Sequence, residues 1–133
     1  MSPRLPVQTD AAPGVIGPYS QAIVSGDLVF TAGQLGSDPG SGRLVEGGTA
    51  AQAEQALRNI EAVLDAAGTD FSQVLKTTIF LADIADAPEV NEVYQRHVTP
   101  PYPARSTIAV RGLPRGALVE IECIAQVGER GER

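Results

Sequence analysis

The chain has 133 residues, 43% hydrophobic and 20% charged, with a formal net charge of −6. That length and balance suit one soluble globular domain spanning residues 1–133, with a real core. A single cysteine excludes an internal disulfide, a single histidine counts against a His/Cys metal cage, and an acidic chain without a basic cluster counts against nucleic acid.

No apolar run approaches a membrane span, and MSPRLPVQTD lacks the apolar stretch of a secretory leader, so no membrane and a cytoplasmic location are expected. The nearest approach to a basic cluster is Arg111 with Arg115, and the tail GERGER is of mixed sign. Such a balance still permits a local basic pocket for a small anion.

The first eighteen residues, rich in Pro, Gly and Ala, suggest irregular structure. SQAIVSG and DLVFTAG follow as two strands around a Gly26-Asp27 hairpin turn. Residues 36–48 form a glycine-rich loop with a short extended segment near Arg43–Val45. Residues 49–67 carry apolar side chains at helical spacing, with Thr49 and Gln52 as a capping box and Gly68 as the stop. That stripe is a core-packing face and has no chemistry assigned to it.

VLKTTIFLA (74–82) is a strand rich in β-branched residues, and Asp86 with Glu89 suggests a second capping box before a short helix ending near His97. Two more strands, 105–111 and 117–127, are joined by a Gly112–Gly116 turn. The order ββαβαββ is an α+β pattern, one sheet with two helices. In the last strand Val119, Ile121, Cys123, Ala125 and Val127 point one way, towards the helices. Leu118, Glu120, Glu122, Ile124 and Gln126 point the other way, a mixed face suited to contact with further subunits.

Pro100, Pro101 and Pro103 make a stiff approach to Arg105, the first candidate for chemistry. A guanidinium can grip a carboxylate with two parallel hydrogen bonds. On residue type alone, a structural ion pair with Glu120 or Glu122 of the neighbouring strand outweighs that role. Glu120 and Glu122 share one face, and shielding by apolar groups would raise a glutamate pKa towards neutrality. Tyr19, after the Gly17-Pro18 corner, could bond a substrate or anchor its own loop. Asn91 carries little signal, His97 suits a helix-dipole partner, and Cys123 suits an inert buried thiol.

Taken together, IGPYSQA (16–22), VFTAGQLG (29–36), VLKTTIFLAD (74–83), VNEVYQRH (90–97), YPARSTIAV (102–110) and VEIECIA (119–125) resemble the signature blocks of the RidA/YjgF family of imine deaminases, also labelled the L-PSP endoribonuclease family. The resemblance implies a chorismate-mutase-like α+β fold, a single mixed sheet with two helices packed on one face. It also implies a homotrimer with active sites between subunits and hydrolysis of 2-imino acids to 2-keto acids and ammonia, with no cofactor and no metal. By the same resemblance Arg105 holds the substrate carboxylate, Glu120 handles the attacking water, and Tyr19 and Asn91 line the cleft. Thr107, where many members have cysteine, and Ala32, where many have serine, fall at substrate-binding positions and bear on side-chain choice. Two other functions fit the same residues: a non-catalytic trimer that binds 2-keto acids, and the endoribonuclease or translation-inhibitor role some relatives carry.

Overall fold

The computed structural model describes residues 2–128; Met1 and residues 129–133, which hold most of the mixed-charge tail, lie outside it. Its elements are β1 (Leu5–Val7), β2 (Ala22–Ser25), β3 (Leu28–Thr31), β4 (Gln34–Leu35), α1 (Gly48–Ala66), β5 (Val74–Leu81), α2 (Ala87–Tyr94), β6 (Ala104–Ala109) and β7 (Val119–Gln126). The strands form one mixed sheet in the order β1-β2-β3-β7-β5-β6, with β4 also on β7. Among the described strands only β5 and β6 run parallel; α2 is the crossover between them. The expected α+β architecture with two helices over one face is what forms.

Val119, Ile121 and Ala125 of β7 are fully buried beneath the helices, as are Leu57, Ile60 and Leu64 of α1. Burying each such Val, Leu or Ile side chain contributes about 1.5–3 kcal/mol, which is what holds helices to sheet. The opposite face carries Phe30, Ile124, Phe80 and Ile108 beside Glu120 and Glu122, as their strand pairings require. Phe30 and Ile108 remain 42% and 46% exposed, so this face is apolar and uncovered within one chain. Among the described residues, no helix is long and apolar enough to cross a membrane.

The N-terminal segment departs from expectation. Leu5–Val7 is not irregular but pairs with β2, Leu5 opposite Val24. Pro6 is tolerated there because β1 is an edge strand with a free side. The last two strands are not neighbours either. β6 lies at the other edge, and β5 separates it from β7.

Neither expected capping box forms. Gly47 precedes α1 with a left-handed φ of 117° and no side-chain cap, and Asp86 precedes α2 without one. Thr49 instead donates to Asp86 Oδ2 at 2.9 Å, so one residue from each expected box bonds the other. Gln52 Oε1 accepts from the Leu118 backbone at 2.9 Å. Both Thr49 and Gln52 are buried, which puts tertiary partners closer than the free N–H groups of their own helix. Gly68 does end α1, with φ 87° and Thr69 N donating back to Leu64 O. His97 serves α1 rather than the α2 dipole: it lies 3.0 Å from Glu54 Oε1 and packs on Phe71.

Candidate active site

Arg105 is the second residue of β6, opposite Thr77 of β5. Thr77 is buried, so Arg105 projects on the helix side of the sheet, beyond its covered part. Its guanidinium carbon sits 4.9 Å from the centroid of the Tyr94 ring, a cation–π contact. Tyr94 is itself fixed: it is only 5% exposed, and its hydroxyl bonds Thr77 Oγ1 at 2.8 Å. Burial pushes the Tyr94 phenol up, against the Thr77 hydrogen bond and the Arg105 charge. Asn91, Tyr94, Tyr102, Pro103 and Arg105 line one cavity of about 370 Å³. The proline-rich approach is therefore part of the wall as well as the route to Arg105.

Glu120 projects from the other face. Its partners across the sheet are Leu35 of β4 and Phe80 of β5, an apolar flank on both sides. Burial, and then the charge of Glu122, push the Glu120 carboxyl above the ordinary glutamate value. Tyr19, Gly33 and Arg115 share with Glu120 a second cavity, also of about 370 Å³.

A one-residue irregularity shapes this second site. Phe30 pairs with Ile124 while Gln34 pairs with Ile121, so Ala32–Gly33 holds one residue more than the facing β7. That is a β-bulge, a device that re-aims the residues around it. Thr31 fills the interrupted ladder with its side chain, Oγ1 accepting from Cys123 N at 3.0 Å. Gly33 then lies flush against the catalytic candidate: a Cβ there would stand 2.8 Å from the Glu120 carboxyl carbon. Only glycine leaves Glu120 its present position.

The candidates thus separate into two groups. Arg105 and Asn91 meet in one cavity, and Tyr19 and Glu120 in the other. The ion pair of Arg105 with Glu120 or Glu122 favoured on residue type is absent, because β7 is not the neighbour of β6 and the carboxylates point from the opposite face. Thr107 is half-buried beyond Arg105 on β6, and Ala32 sits in the bulge with its N–H on Gln21 O; neither lines either of these two cavities. Cys123 is an inert thiol, pushed up to about 12 by burial.

Residues 9–127 match the family model Endoribonuclease L-PSP. The chain belongs to that family. A human relative called 2-iminobutanoate/2-iminopropanoate deaminase is 48% identical over 125 residues, covering 94% of this chain and 91% of its own. Among L-PSP folds already solved, RidA from an Antarctic Psychrobacter superposes with a TM-score of 0.90 at 44% identity, covering 93% of this chain and all of that one. Escherichia coli TdcF, solved with bound serine, superposes at 0.86 with 38% identity, covering 92% and 98%.

Three residues of this L-PSP chain matter to the geometry and were not singled out by sequence reasoning. Tyr94 lies three residues after Asn91, a helical spacing that puts both on one face of α2. Gly33 had only its place in the AGQ block to mark it. Gln21, 1% exposed, holds the segment before Tyr19: its amide donates to Thr9 O and Pro13 O at 3.0 Å and accepts from Thr9 N at 2.7 Å. A glutamine at the start of a predicted strand was the available signal.

Proposed function

We propose that this protein hydrolyses reactive 2-imino acids, such as 2-iminopropanoate and 2-iminobutanoate, to 2-keto acids and ammonia. The observation that carries this is the division of the two chemical groups: an arginine suited to a carboxylate lines a cavity on one face, and a glutamate of raised pKa lines a cavity on the other. A complete site then needs two copies, the Arg105 edge of one facing the Glu120–Tyr19 cavity of the next. A homotrimer closes that contact into a ring, burying the face that carries Phe30 and Ile108. Names of relatives near 48% identity favour the same substrates, and a serine-bound structural relative favours a small amino-acid-like ligand.

In this mechanism Arg105 binds the carboxylate of the imino acid and fixes C2 beside Glu120 of the adjacent copy. Tyr19 closes the cavity beside it. The Glu120 carboxylate takes a proton from water as the water oxygen bonds to C2, and passes that proton to the imine nitrogen. The resulting carbinolamine collapses: Glu120 takes the hydroxyl proton as the carbonyl forms and the C–N bond breaks, and hands it to the departing nitrogen, which leaves as ammonia. Water and imino acid are consumed, keto acid and ammonia are produced, and no electrons are exchanged with a cofactor. Asn91 borders the carboxylate end, while Thr107 and Ala32 act through the backbone of β6 and of the bulge.

The test is keto-acid formation from freshly generated 2-aminoacrylate. Glu120→Ala is expected to lower the acceleration about 100-fold or more, as for loss of a general acid–base group. Full ammonia release by Glu120→Ala would mean a different mechanism. Light scattering that finds only monomers would remove the shared site.

A further inference from the structure

Arg115 is the only non-glycine described residue in the left-handed backbone region, with φ 61° and ψ 18°. Glycine would sit there without penalty, whereas a side chain costs about 1–2 kcal/mol. The side chain must therefore offset this cost by what it does. It lines the same cavity as Glu120 and Tyr19.

The guanidinium is held by a prebuilt anchor. Its Nη1 donates to Gly42 O at 2.6 Å. Gly42 belongs to a closed turn in which Ser41 N donates to Asp38 Oδ2 and Gly42 N to Asp38 O, both at 2.8 Å. One donor of the fork is thus used on a fixed carbonyl. Arg115 has no carboxylate within ion-pair distance among the described residues, Glu120 included. Arg115 is exposed at the cavity wall, and its remaining donors and positive charge are open to solvent and to a ligand in the cavity, in a chain of net charge −6.

Resting on the imine-hydrolase reading, we propose that Arg115 is a specificity-determining residue that recognises a second carboxylate, on the side chain of the substrate. With Arg105 of the adjacent copy on the carboxylate next to C2, the side chain of the imino acid extends along the wall that Arg115 lines. A distal carboxylate there meets a guanidinium already fixed by Gly42, so little ordering entropy opposes the contact. The substrate class this adds is the 2-imino dicarboxylates, 2-iminosuccinate and 2-iminoglutarate. A purely structural Arg115, clamping residues 38–43, would affect every substrate alike.

The experiment compares the wild type with Arg115→Gly, which suits the left-handed backbone and is expected to raise Tm, and with Arg115→Lys. kcat/KM is measured for 2-iminoglutarate, generated by a glutamate oxidase, and for 2-iminopropanoate. Calorimetry with 2-oxoglutarate and 2-oxobutanoate measures binding without turnover. The ratio of acidic to neutral substrate is expected to fall about tenfold in Arg115→Gly, in both rate and binding, and to be partly restored in Arg115→Lys. An unchanged ratio overturns the proposal. Acceleration of 2-iminopropanoate with an unchanged ratio defeats this inference alone. An Arg115-dependent binding ratio without acceleration of any imine defeats the hydrolase reading and leaves the recognition role standing.

Discussion

Arg105 and Glu120 project from opposite faces of the same sheet. Thr77 is paired with Arg105 on one side and with Cys123 on the other, and Cys123 is an odd number of residues from Glu120. Two residues that work on one substrate from these positions must come from two copies of the chain. In the proposed mechanism, association is therefore a requirement of the chemistry rather than an addition to it.

Tyr94 supports Arg105 in two separable ways. Tyr94→Leu removes the ring beneath the guanidinium, an interaction worth about 0.5–1 kcal/mol where solvent is near. KM is expected to rise roughly threefold to fivefold, with kcat less affected. Tyr94→Phe keeps the ring but leaves the buried Thr77 hydroxyl without its partner. That change is expected to lower stability by about 1 kcal/mol with KM nearly unchanged. Steady-state kinetics beside urea denaturation at one protein concentration separates the two.

Gly33→Ala tests the bulge. The backbone at Gly33 is not left-handed, so alanine folds there, but its Cβ would lie 2.8 Å from the Glu120 carboxyl carbon. Glu120 must move. The expected outcome is a loss in kcat/KM of about tenfold or more with Tm nearly retained, since a small misplacement of an acid–base group costs that much. Full activity would mean that Glu120 need not sit where it does.

Glu122 sets part of the pH dependence. Burial first, then the Glu122 charge, raises Glu120 above the usual glutamate range. The carboxylate is the form that accepts a proton from water, so kcat/KM falls as pH drops through that raised value. Glu122→Gln removes the like charge, favours the Glu120 carboxylate and moves the acid limb to lower pH. The stability sign is opposite: a raised carboxyl favours the fold below the unfolded glutamate pKa, and the benefit is lost as pH rises through the folded value. At neutral pH Glu120 is thus a net cost, and Glu120→Gln is expected to raise Tm while abolishing activity. A pH-rate profile and a melting curve check both.

Asn59 is fully buried on α1, donating to Leu35 O at 3.1 Å and Ser37 O at 2.9 Å, with its own Oδ1 taken by Gln55 Nε2 at 2.9 Å. It ties α1 to the strand end that flanks Glu120. Asn59→Ala leaves one buried and one part-buried carbonyl without this partner and is expected to cost about 1–3 kcal/mol, read as a fall in the urea midpoint.

Much of this was written in local pattern. Val119 to Val127 alternate because a strand has period two, and Gly68 stops α1 because a left-handed C′ position selects glycine. What escaped was set by tertiary partners. Leu5–Val7 becomes a strand only because β2 offers an edge, and Thr49 abandons its helix cap for Asp86, thirty-seven residues away. The position of Arg105 relative to Glu120 depended on sheet order: an eight-residue α2 carries the chain to the far edge of β5, and no feature of residues 105–127 alone encodes that. Asn91 and Arg105 line one cavity, whereas Tyr94 and Gly33 became visible only as the surfaces on which Arg105 and Glu120 rest.

The shared site is tested most directly by mixing two inactive variants. Arg105→Ala and Glu120→Ala are each expected to lose activity alone. Unfolded together and reassembled in equal amounts, they form some clefts that pair an intact Arg105 with an intact Glu120 from the adjacent copy, about one quarter of all sites in a randomly assembled ring. Recovery of about a quarter of wild-type activity is the predicted result. A mixture as inactive as its two components would contradict a site built from opposite faces of neighbouring chains.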